Sequence, residues 1–474
     1  MRKVEADVAI VGAGTSGAYL AWRLGGAGYR CVVIEKEPLE KLGTQIGPFH
    51  MEEVAFERFD IPLPTGDELL HTVRAMTMWS PTFAHSMTFE LLTLVMDKPG
   101  FIQRLHGYAR DKEVEILEQT EVVGLIMEGL DLAGVRSKGP QGDVEVRARL
   151  VIDASGIDGV VRTLMTPGHR FETDSISNLD TIFVYMETWD EVEGDLEHGV
   201  NSYPYFQGWC APGPGDTRIV GIGMVGSHEA ARSRHRRFME TLPFKGKVVG
   251  CTGGRIPYRR PPYSLVENGL MVVGDAAFMN KPFSGEGVTS ALTACRIAED
   301  VASAALRRGD VSINALWPYN VGYFQGQGAK FAFLTASLPA MMSMSASEMD
   351  FFFTVPGVLT EEGALALQLE YEIKQDAMAG LKVLPRLAKA LNSGEVSLTS
   401  LSLIARAGAG AGVIKRLYER FPETPARHDS WVWRVGPHWR RADFMKRRYF
   451  AKVGEQLRLP SKMGSSKVGS DPKI

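Results

Sequence analysis

Three glycines near the start of the chain could hold the phosphates of a nucleotide cofactor. Gly12, Gly14 and Gly17 have the spacing G-x-G-x-x-G, directly after an apolar run typical of a buried strand. Gly12 permits a tight turn, Gly14 lets the backbone approach a pyrophosphate, and Gly17 lets the next helix pack closely. Ser16 lies in the first turn of that helix, whose positive end favours phosphate. Glu35, after a second apolar run, is placed to accept hydrogen bonds from a ribose, so this region predicts a dinucleotide site.

A second glycine-rich segment has the features of a flavin contact. Gly274 follows an apolar run and would give backbone access to a cofactor, and Asp275 could accept hydrogen bonds from polyol hydroxyls. Gly285 and Gly287 precede a predicted helix that begins near Val288. The positive end of this helix would stabilise negative charge on a reduced flavin ring. The two glycine-rich segments together therefore predict one shared cofactor.

The elements between these motifs must bring them together. Strand and helix patterns alternate around the motifs, whereas the intervening stretches are rich in strands and turns. We therefore expect an α/β fold, in which a Rossmann-like domain is interrupted by an antiparallel β-sheet that carries the substrate, and is followed by a helical C-terminal region. The predicted ranges are 1–65, 96–174 and 265–330 for the discontinuous cofactor domain, 66–95 and 175–264 for the antiparallel sheet, 331–459 for the helical region and 460–474 for a disordered tail.

The composition is that of an ordinary globular protein. The chain has 474 residues, of which 45% are hydrophobic, and a net charge of −3 that argues against a nucleic-acid partner. The four cysteines lack metal-binding spacing, so we expect reduced thiols and no metal site. Because the first strand begins near residue 7, no room is left for a signal peptide, and we expect a cytoplasmic protein.

Two segments could touch a membrane surface. Residues 331–347 are uncharged but interrupted by Pro339, which favours a buried helix over a membrane contact. Near the C-terminus, Trp431, Trp433 and Trp439 alternate with basic side chains. Such a stretch could contact anionic lipid headgroups, and a solvated basic face anchored by buried tryptophans is the alternative.

Several motifs resemble those of one family of flavoenzymes. The segment 253–257, Gly-Gly-Arg-Ile-Pro, and the segment 268–275, which ends in Val-Val-Gly-Asp, are similar to motifs of the geranylgeranyl reductase family. This family is part of the p-hydroxybenzoate hydroxylase superfamily. The segment 208–212, Gly-Trp-Cys-Ala-Pro, is similar to the end of the family motif Y-x-W-x-F-P. The resemblance extends to archaeal members at 62–69 and at 429–431, and it covers most of the chain.

The resemblance implies a cofactor and a set of residues around it. The implied cofactor is non-covalent FAD in a Rossmann-like FAD-binding domain. Trp209, Ala211 and Pro212 would line the substrate cavity. The residues implied around FAD are Gly12, Gly14, Ser16, Gly17, Glu35, Arg104, Val122 through its backbone, Gly274, Asp275, Gly285, Gly287 and Val288.

The sequence departs from the family pattern beside the substrate. Gln207 and Ala211 stand where the family motif has Tyr and Phe, which changes the width and polarity of the cavity. Gly47 stands where the family has a cysteine near the flavin, and glycine cannot perform thiol chemistry. No proton donor is assigned from the sequence. The candidates are Tyr203, Tyr205, Tyr258, Tyr263 and His50, although tyrosines in strands more often serve packing.

The resemblance implies an FAD-dependent oxidoreductase that reduces C=C bonds of a polyprenyl or lipid-like substrate. The first alternative is an FAD-dependent monooxygenase or dehydrogenase acting on a small aromatic or alicyclic compound, and the second is an electron-relay protein without a substrate. The glycine-rich stretch 408–412 is interpreted as a flexible linker between helices, because no strand precedes it. Without a second nucleotide domain, the expected electron donor is transiently bound NADPH or a ferredoxin. Oligomeric state is not predicted.

Overall fold

The computed structural model describes residues 2–165, 172–194, 199–242, 244–355, 357–373 and 377–458. The tail predicted at 460–474 lies outside these described residues. The strands are β1 (Arg2–Val11), β2 (Cys31–Ile34), β3 (Phe49–Glu52), β4 (Leu69–Trp79), β5 (Ser86–Met96), β6 (Glu115–Leu117), β7 (Glu121–Glu128), β8 (Asp131–Gly139), β9 (Gly142–Asp153), β10 (Thr181–Gly194), β11 (Val200–Tyr203), β12 (Gly208–Pro212), β13 (Arg218–Val225), β14 (Phe244–Pro257), β15 (Val266–Glu267) and β16 (Leu270–Val272). The α-helices are α1 (Thr15–Gly26), α2 (Glu53–Arg58), α3 (Lys98–Arg110), α4 (Val160–Leu164), α5 (His228–Met239), α6 (Val288–Arg308), α7 (Ile313–Tyr323), α8 (Ala329–Met342), α9 (Ala346–Thr354), α10 (Glu361–Leu365), α11 (Ala377–Ser393), α12 (Leu398–Tyr418) and α13 (His428–Arg458).

The first sheet brings three strand ends into one row. Its order is β15-β16-β9-β1-β2-β6, and β9 also pairs with β8, which pairs with β7. The central strands are parallel and read as continuous apolar runs because both of their faces are buried. Asp153, at the end of β9, pairs with Val11 of β1 on one side and with Val272 of β16 on the other. The turns that follow β1, β9 and β16 therefore meet at one edge.

The second sheet is largely antiparallel and has the order β14-β10-β13-β12-β11-β4-β5-β3. One pair, β11 with β4, is parallel. Strand β3 lies within the range 1–65 predicted for the cofactor domain, but it pairs antiparallel with β5 in the second sheet. A four-residue strand is too short to show a period in the sequence, so its partner could not be recognised. The loop before β3 and strand β3 itself thus connect the two sheets.

The C-terminal helices complete the core on the first sheet. Trp317 of α7, Tyr418 of α12 and Trp431 of α13 belong to the same buried cluster as the parallel strands. The glycine-rich stretch 408–412 lies inside helix α12, so its interpretation as a flexible linker is wrong. Helix α12 packs against α8.

The last helix is also attached to the second sheet. Lys446 of α13 is 3% exposed, and its ammonium group donates hydrogen bonds to Asp180 Oδ1 at 2.7 Å and to the Tyr258 carbonyl oxygen at 2.6 Å. Asp180 precedes β10 and Tyr258 follows β14. A buried lysine requires such partners because its charge is costly away from water. Helix α13 therefore ties both sheets to the helical region.

Helix α8 contains Pro339 and is mostly buried, as expected for 331–347. Within the described residues, none of the helices combines the length and the apolar character that crossing a bilayer requires.

Candidate active site

The turn after β1 has room only for glycine at two positions. Gly12 has a φ of +99°, and a Cβ there would overlap the carbonyl of Ala154, which follows β9. A Cβ on Gly17 would overlap the carbonyl oxygen of Gly12. Helix α1 thus lies directly against the turn, as the spacing of the glycines predicted.

Helix α1 begins with exposed donors rather than with a side-chain cap. Its N-cap is Gly14, no side chain accepts a hydrogen bond there, and no acidic residue lies in its first turn. A Cβ on Gly14 would find no heavy atom of the described chain within 4 Å. The first N–H groups of α1 therefore face open space, which is the arrangement that an anion can occupy.

Glu35 closes one side of this turn. Its Oε2 accepts a hydrogen bond from the Ala13 N–H at 2.7 Å, its Oε1 accepts one from the Glu37 N–H at 2.8 Å, and the residue is 7% exposed. The Thr120 N–H donates to the Glu35 carbonyl at 2.7 Å, which places the start of β7, and with it Val122, beside β2. Sequence spacing located Glu35 because the strand and helix before it have standard lengths.

The second glycine-rich segment meets the first one. Gly274 has a φ of +62°, and a Cβ there would lie 2.5 Å from the Ser16 hydroxyl oxygen. Cys295 of α6 contacts the Ser16 carbonyl oxygen at 3.9 Å. Because Gly274 follows β16 and Ser16 is in the first turn of α1, the structure joins segments that are far apart in the chain.

Helix α6 also starts at an uncapped glycine. Its N-cap is Gly287, no side chain accepts a hydrogen bond there, and Val288 is its first residue. A Cβ on Gly287 would lie 2.9 Å from Asn280 Nδ2 and 3.4 Å from Asp275 Oδ1, so the helix start is packed against Asp275. Gly285 lies beside Ile256 of β14, which brings this loop to the second sheet.

Two basic residues on α3 have different surroundings. Arg104 donates hydrogen bonds to the Pro62 carbonyl at 2.8 Å, to Glu68 Oε1 at 2.9 Å and to the Tyr108 hydroxyl at 3.1 Å. Lys98, at the start of the helix, is the group that acts electrostatically on Asp275. The structure brings Lys98 to Asp275, and it places Arg104, which the resemblance implies around FAD, beside Pro62, Glu68 and Tyr108.

The charges of Lys98 and Asp275 depend on burial and on each other. Burial raises the pKa of the Asp275 carboxyl group, and Lys98 and a hydrogen bond from Asn280 offset part of this rise. Burial lowers the pKa of the Lys98 ammonium group, and Asp275 offsets part of that decrease. Each group thus stabilises the charged form of the other.

A buried polar cluster adjoins the loop before α6. Lys281 donates to Glu52 Oε1 at 3.0 Å and to Glu286 Oε2 at 2.8 Å, and Gln368 donates to the same two oxygens at 2.8 and 3.1 Å. His50 Nε2 lies 2.5 Å from Glu286 Oε1. Of these five residues, the sequence indicated only His50 as a candidate proton donor. Its members come from three distant segments, so no local pattern could have assembled them.

The predicted substrate residues lie on two faces of β12. Strand alternation puts Trp209 and Ala211 on one face and Pro212 on the other, so the structure does not place all three together. The Trp209 ring lies on Gly221 of β13, where a Cβ would overlap it. Trp209, Ile46 and Ile256 pack against one apolar cluster, and Ile256 also borders Gly285. An apolar surface therefore adjoins the second glycine-rich loop.

Comparisons with known proteins agree with this geometry. The family model described as "FAD dependent oxidoreductase" matches residues 7–195. Among curated proteins, the chain is 23% identical to a digeranylgeranylglycerophospholipid reductase of Sulfolobus acidocaldarius, over 91% of this chain and 96% of that protein. It is 28% identical to a protein of the same name from Methanosphaerula palustris, over 67% of this chain and 81% of that protein.

The chain is an FAD-dependent oxidoreductase. The predicted resemblance to the geranylgeranyl reductase family, with FAD as the cofactor, is thereby confirmed.

Solved structures show the same fold. A geranylgeranyl bacteriochlorophyll reductase-like protein from Thermoplasma acidophilum superimposes with a TM-score of 0.69 at 21% identity, covering 82% of this chain and 99% of that chain. A flavin-dependent brominase superimposes with a TM-score of 0.56 at 15% identity, covering 81% of this chain and 100% of that chain. The predicted fold class, a Rossmann-like α/β domain interrupted by a β-sheet and followed by helices, is confirmed.

Proposed function

We propose that the oxidoreductase reduces C=C bonds of a polyprenyl lipid. One observation carries the proposal: Gly274 lies against Ser16 in the first turn of α1 and Asp275 lies beside Gly287 at the start of α6, so one segment joins the two uncapped helix starts. Gly285, in the loop before α6, borders Ile256 of the apolar surface around Trp209. The names of the curated relatives supply the substrate class, since they are reductases of a digeranylgeranyl lipid. An isoprenoid chain is apolar along its length, so the surface around Trp209 suits it.

FAD suits the residues that line these helix starts. We propose that the N–H groups after Gly14 hold its pyrophosphate, that Glu35 holds the adenosine ribose, and that Asp275 holds the polyol chain of the flavin half. Lys98 adds a positive charge beside Asp275. When bound and reduced, FAD supplies the hydride for the reaction. The start of α6 at Gly287 favours negative charge on the reduced ring.

The substrate residues determine what chain can enter. Ala211 is 7% exposed and packs with Val73 and Met76, so the missing aromatic ring widens the apolar region rather than opening it to water. Gln207 contacts the Tyr449 hydroxyl at 3.5 Å, and so its amide is directed towards α13. We propose that Trp209 and Ala211 contact the isoprenoid chain and that Pro212 shapes the end of the strand.

Electrons must come from outside this chain. We propose that NADPH or a reduced ferredoxin binds transiently and reduces FAD. Stretch 408–412 does not suit NADPH, because it lies within helix α12 rather than in a turn after a strand. Stopped-flow reduction of bound FAD by each donor, followed at the flavin absorption band, distinguishes the two. A donor that reduces FAD no faster than buffer alone is eliminated.

Helix α13 presents a surface that suits an anionic bilayer. Trp433 is 80% exposed and Phe444 is 63% exposed, and they share the outer face of the helix with exposed arginines. Trp431 and Trp439 are buried and anchor the helix. The exposed arginines of this face are Arg434, Arg440, Arg441, Arg447 and Arg448. We propose that this face rests on anionic lipid headgroups while a lipid substrate enters.

Vesicle flotation tests this contact. Wild-type protein should float with vesicles that contain phosphatidylserine, and the double variant Trp433→Ser, Phe444→Ser should float less. The matched control changes Arg307 and Arg308, two exposed arginines at the end of α6, to serine. Equal flotation of the wild type and the aromatic variant would contradict the proposed contact.

Product analysis tests the reductase activity itself. The purified protein is reduced with dithionite under anaerobic conditions and mixed with a digeranylgeranyl lipid, and the products are analysed by mass spectrometry. Reduction adds two hydrogen atoms per double bond. A hydroxylated product with oxygen uptake would instead support the monooxygenase alternative. Flavin that is reduced and reoxidised without any organic product would support the electron-relay alternative.

A further inference from the structure

We infer that His50, paired with Glu286, is the proton donor for the proposed alkene reduction; this inference rests on the proposed function. Reduction of an isolated C=C bond requires a proton as well as a hydride, and the sequence alone assigned no group to that role. The polar cluster of His50, Glu52, Lys281, Glu286 and Gln368 provides a candidate with a defined geometry.

The position of Glu286 places His50 at the cofactor loop. Glu286 lies between Gly285 and Gly287, and so it is the residue immediately before the N-cap of α6. His50 is 21% exposed in its side chain and lies three residues after Gly47, where the resembling family has its cysteine. Both segments flank the apolar surface around Trp209 through Ile46 and Ile256. His50 thus joins the loop before α6, through Glu286, to the segment that carries Ile46.

One ring nitrogen of His50 is committed and the other is free. Nε2 lies 2.5 Å from Glu286 Oε1, so this nitrogen carries the hydrogen of the pair. Within the described part of the chain, Nδ1 has no hydrogen-bond partner. When the ring is protonated, Nδ1 also carries a hydrogen, which is available to a bound molecule.

The charges in the cluster favour the protonated ring. Glu52 and Glu286 carry two negative charges, and Lys281, whose side chain is 1% exposed, supplies one positive charge. Gln368 donates hydrogen bonds but adds no charge. A protonated His50 supplies the second positive charge, so the buried group becomes neutral overall.

The pKa of His50 follows from the same contacts. Burial lowers it, Lys281 lowers it further, and the charges of Glu286 and Glu52 together with the Glu286 hydrogen bond raise it by more. The pKa of the His50 ring is therefore above its ordinary value, and the pKa of the Glu286 carboxyl group is well below its own. The pair therefore keeps its proton to a higher pH than an isolated histidine would.

The proposed step balances in atoms and electrons. The hydride from reduced FAD forms one new C–H bond, and the π electrons of the alkene form the other with the proton of His50 Nδ1. The Nδ1–H bond breaks, and His50 is left neutral with its Nε2–H donating to Glu286. Water then returns a proton to Nδ1, and an external electron donor, dithionite in the experiment below, reduces FAD again.

Single-turnover kinetics test the assignment. Dithionite-reduced protein is mixed anaerobically with a digeranylgeranyl lipid, and FAD reoxidation is followed as a function of pH. In the wild type, the rate should fall as the pH rises through the pKa of His50. In His50→Gln, the rate should be about 100-fold lower, and the decrease with pH should disappear. The matched control is His71→Gln. Among the residues that the structure describes, His71 pairs only with the Gly213 carbonyl, at 2.6 Å, so this change should leave both the rate and its pH dependence unchanged.

A measurement without turnover checks the pair directly. In protein labelled with nitrogen-15 at histidine, the His50 resonances are identified by their loss in His50→Gln and are titrated in the oxidised protein. The wild-type pKa should lie above the ordinary histidine value, and Glu286→Gln should lower it. The titration itself uses only the wild type and Glu286→Gln, and His50→Gln serves only to identify the resonances. If His50→Gln does not fold, the change in the His50 resonances of Glu286→Gln identifies them instead.

The possible outcomes distinguish a failure of the His50 assignment from a failure of the proposed function. If the wild type reduces the lipid and His50→Gln keeps its rate and pH profile, the inference is wrong and the proposed function stands. If Glu286→Gln leaves the His50 titration unchanged, the inference is also wrong. If the wild type, with FAD bound and reduced, never reduces a prenyl C=C bond, the proposed function fails and the inference fails with it.

Discussion

Helices α1 and α6 both begin at a glycine without a side-chain cap, but their surroundings differ. Around Gly14, the neighbouring groups are mainly backbone, and the nearest charged side chain of the turn is Glu35. Around Gly287, the loop is attached to a buried cluster with Lys281 and Glu286 at its centre. The first start leaves backbone N–H groups open to an anion, whereas the second adjoins a cluster of paired charges.

The difference shows which part of the molecule can change without losing FAD. A site formed by backbone N–H groups depends on the path of the chain. It needs no particular side chain, but it tolerates few substitutions, because most of them alter that path. A side-chain cluster depends on charges that balance, so a single replacement disturbs every partner. We therefore expect opposite consequences when the two helix starts are altered: lost cofactor binding at Gly14 and lost stability at Lys281.

The largest effect on stability is expected from Lys281→Met. The variant leaves Glu52 and Glu286 without their shared cation in a buried site, which should lower the free energy of unfolding by about 3–5 kcal/mol. Urea denaturation measures this change. The control is Lys330→Met, because Lys330 is 32% exposed and pairs with Glu372 at 3.2 Å, and it should cost less than about 1 kcal/mol. Equal losses of free energy of unfolding in both variants would mean that burial of the cluster does not increase the contribution of Lys281 to stability.

Gly14→Val should separate cofactor binding from folding. A valine side chain meets no protein atom nearby but fills the space before the first N–H groups of α1. We expect an unchanged urea midpoint and about 100-fold weaker FAD binding, measured by flavin fluorescence on reconstitution of the apoprotein. The control, Gly408→Ala in α12, should leave FAD binding unchanged. If Gly14→Val still binds FAD tightly, the proposal that the pyrophosphate binds at this turn is wrong.

Lys98→Met and Arg104→Met compare two residues of one helix. Loss of Lys98 should weaken FAD binding about tenfold, because a positive charge beside Asp275 is removed. Loss of Arg104 should leave FAD binding unchanged and lower the free energy of unfolding by about 1–3 kcal/mol, because its hydrogen bonds to Glu68 and Pro62 are removed. The same reconstitution assay and urea denaturation measure both variants. A reversed pattern would favour Arg104, which the resemblance implies around FAD, as the residue that supports cofactor binding.

The smallest effect concerns the pH dependence of stability. The pKa of His50 is raised in the folded protein, so its contribution is present below the unfolded value and is lost as the pH rises through the folded value. The pKa of Glu286 is lowered, so its contribution is lost as the pH falls through its folded value. In urea denaturation, His50→Gln should lack the alkaline decline of the wild type and retain the acidic one. An unchanged alkaline decline would contradict the pairing.

Local spacing was sufficient for the parts of the site that follow single strands. Gly12, Glu35 and Gly274 each end or follow an apolar run, and a turn after a strand has few possible geometries. Lys98 and Arg104 are two basic residues of one helix, at its first position and near its middle, and the resemblance implies only Arg104 around FAD. Asp97 caps α3 through the Gly100 N–H at 2.8 Å, which puts Lys98 in the first turn and Arg104 on a different side of the helix.

The pairing of His50 with Glu286 could not be predicted from the sequence. The two residues are separated by 236 positions, and neither lies in a periodic pattern that indicates its partner. Strand β3 was missed for a related reason, because four residues do not establish an alternation. The sequence also did not indicate that Trp433 is exposed while Trp431, two positions earlier, is buried. Helical spacing places the two side chains on different faces but does not say which face is buried.

The attachment of Lys446 to Asp180 and Tyr258 has a consequence for synthesis of the chain. During translation, the segments of the second sheet leave the ribosome long before helix α13 does. Until that helix arrives, Asp180 lacks its cation, and the apolar surface that Trp431 and Trp439 cover stays open to water. The nascent chain is therefore exposed to aggregation until helix α13 has been made, and chaperone binding is expected to be strongest in that interval.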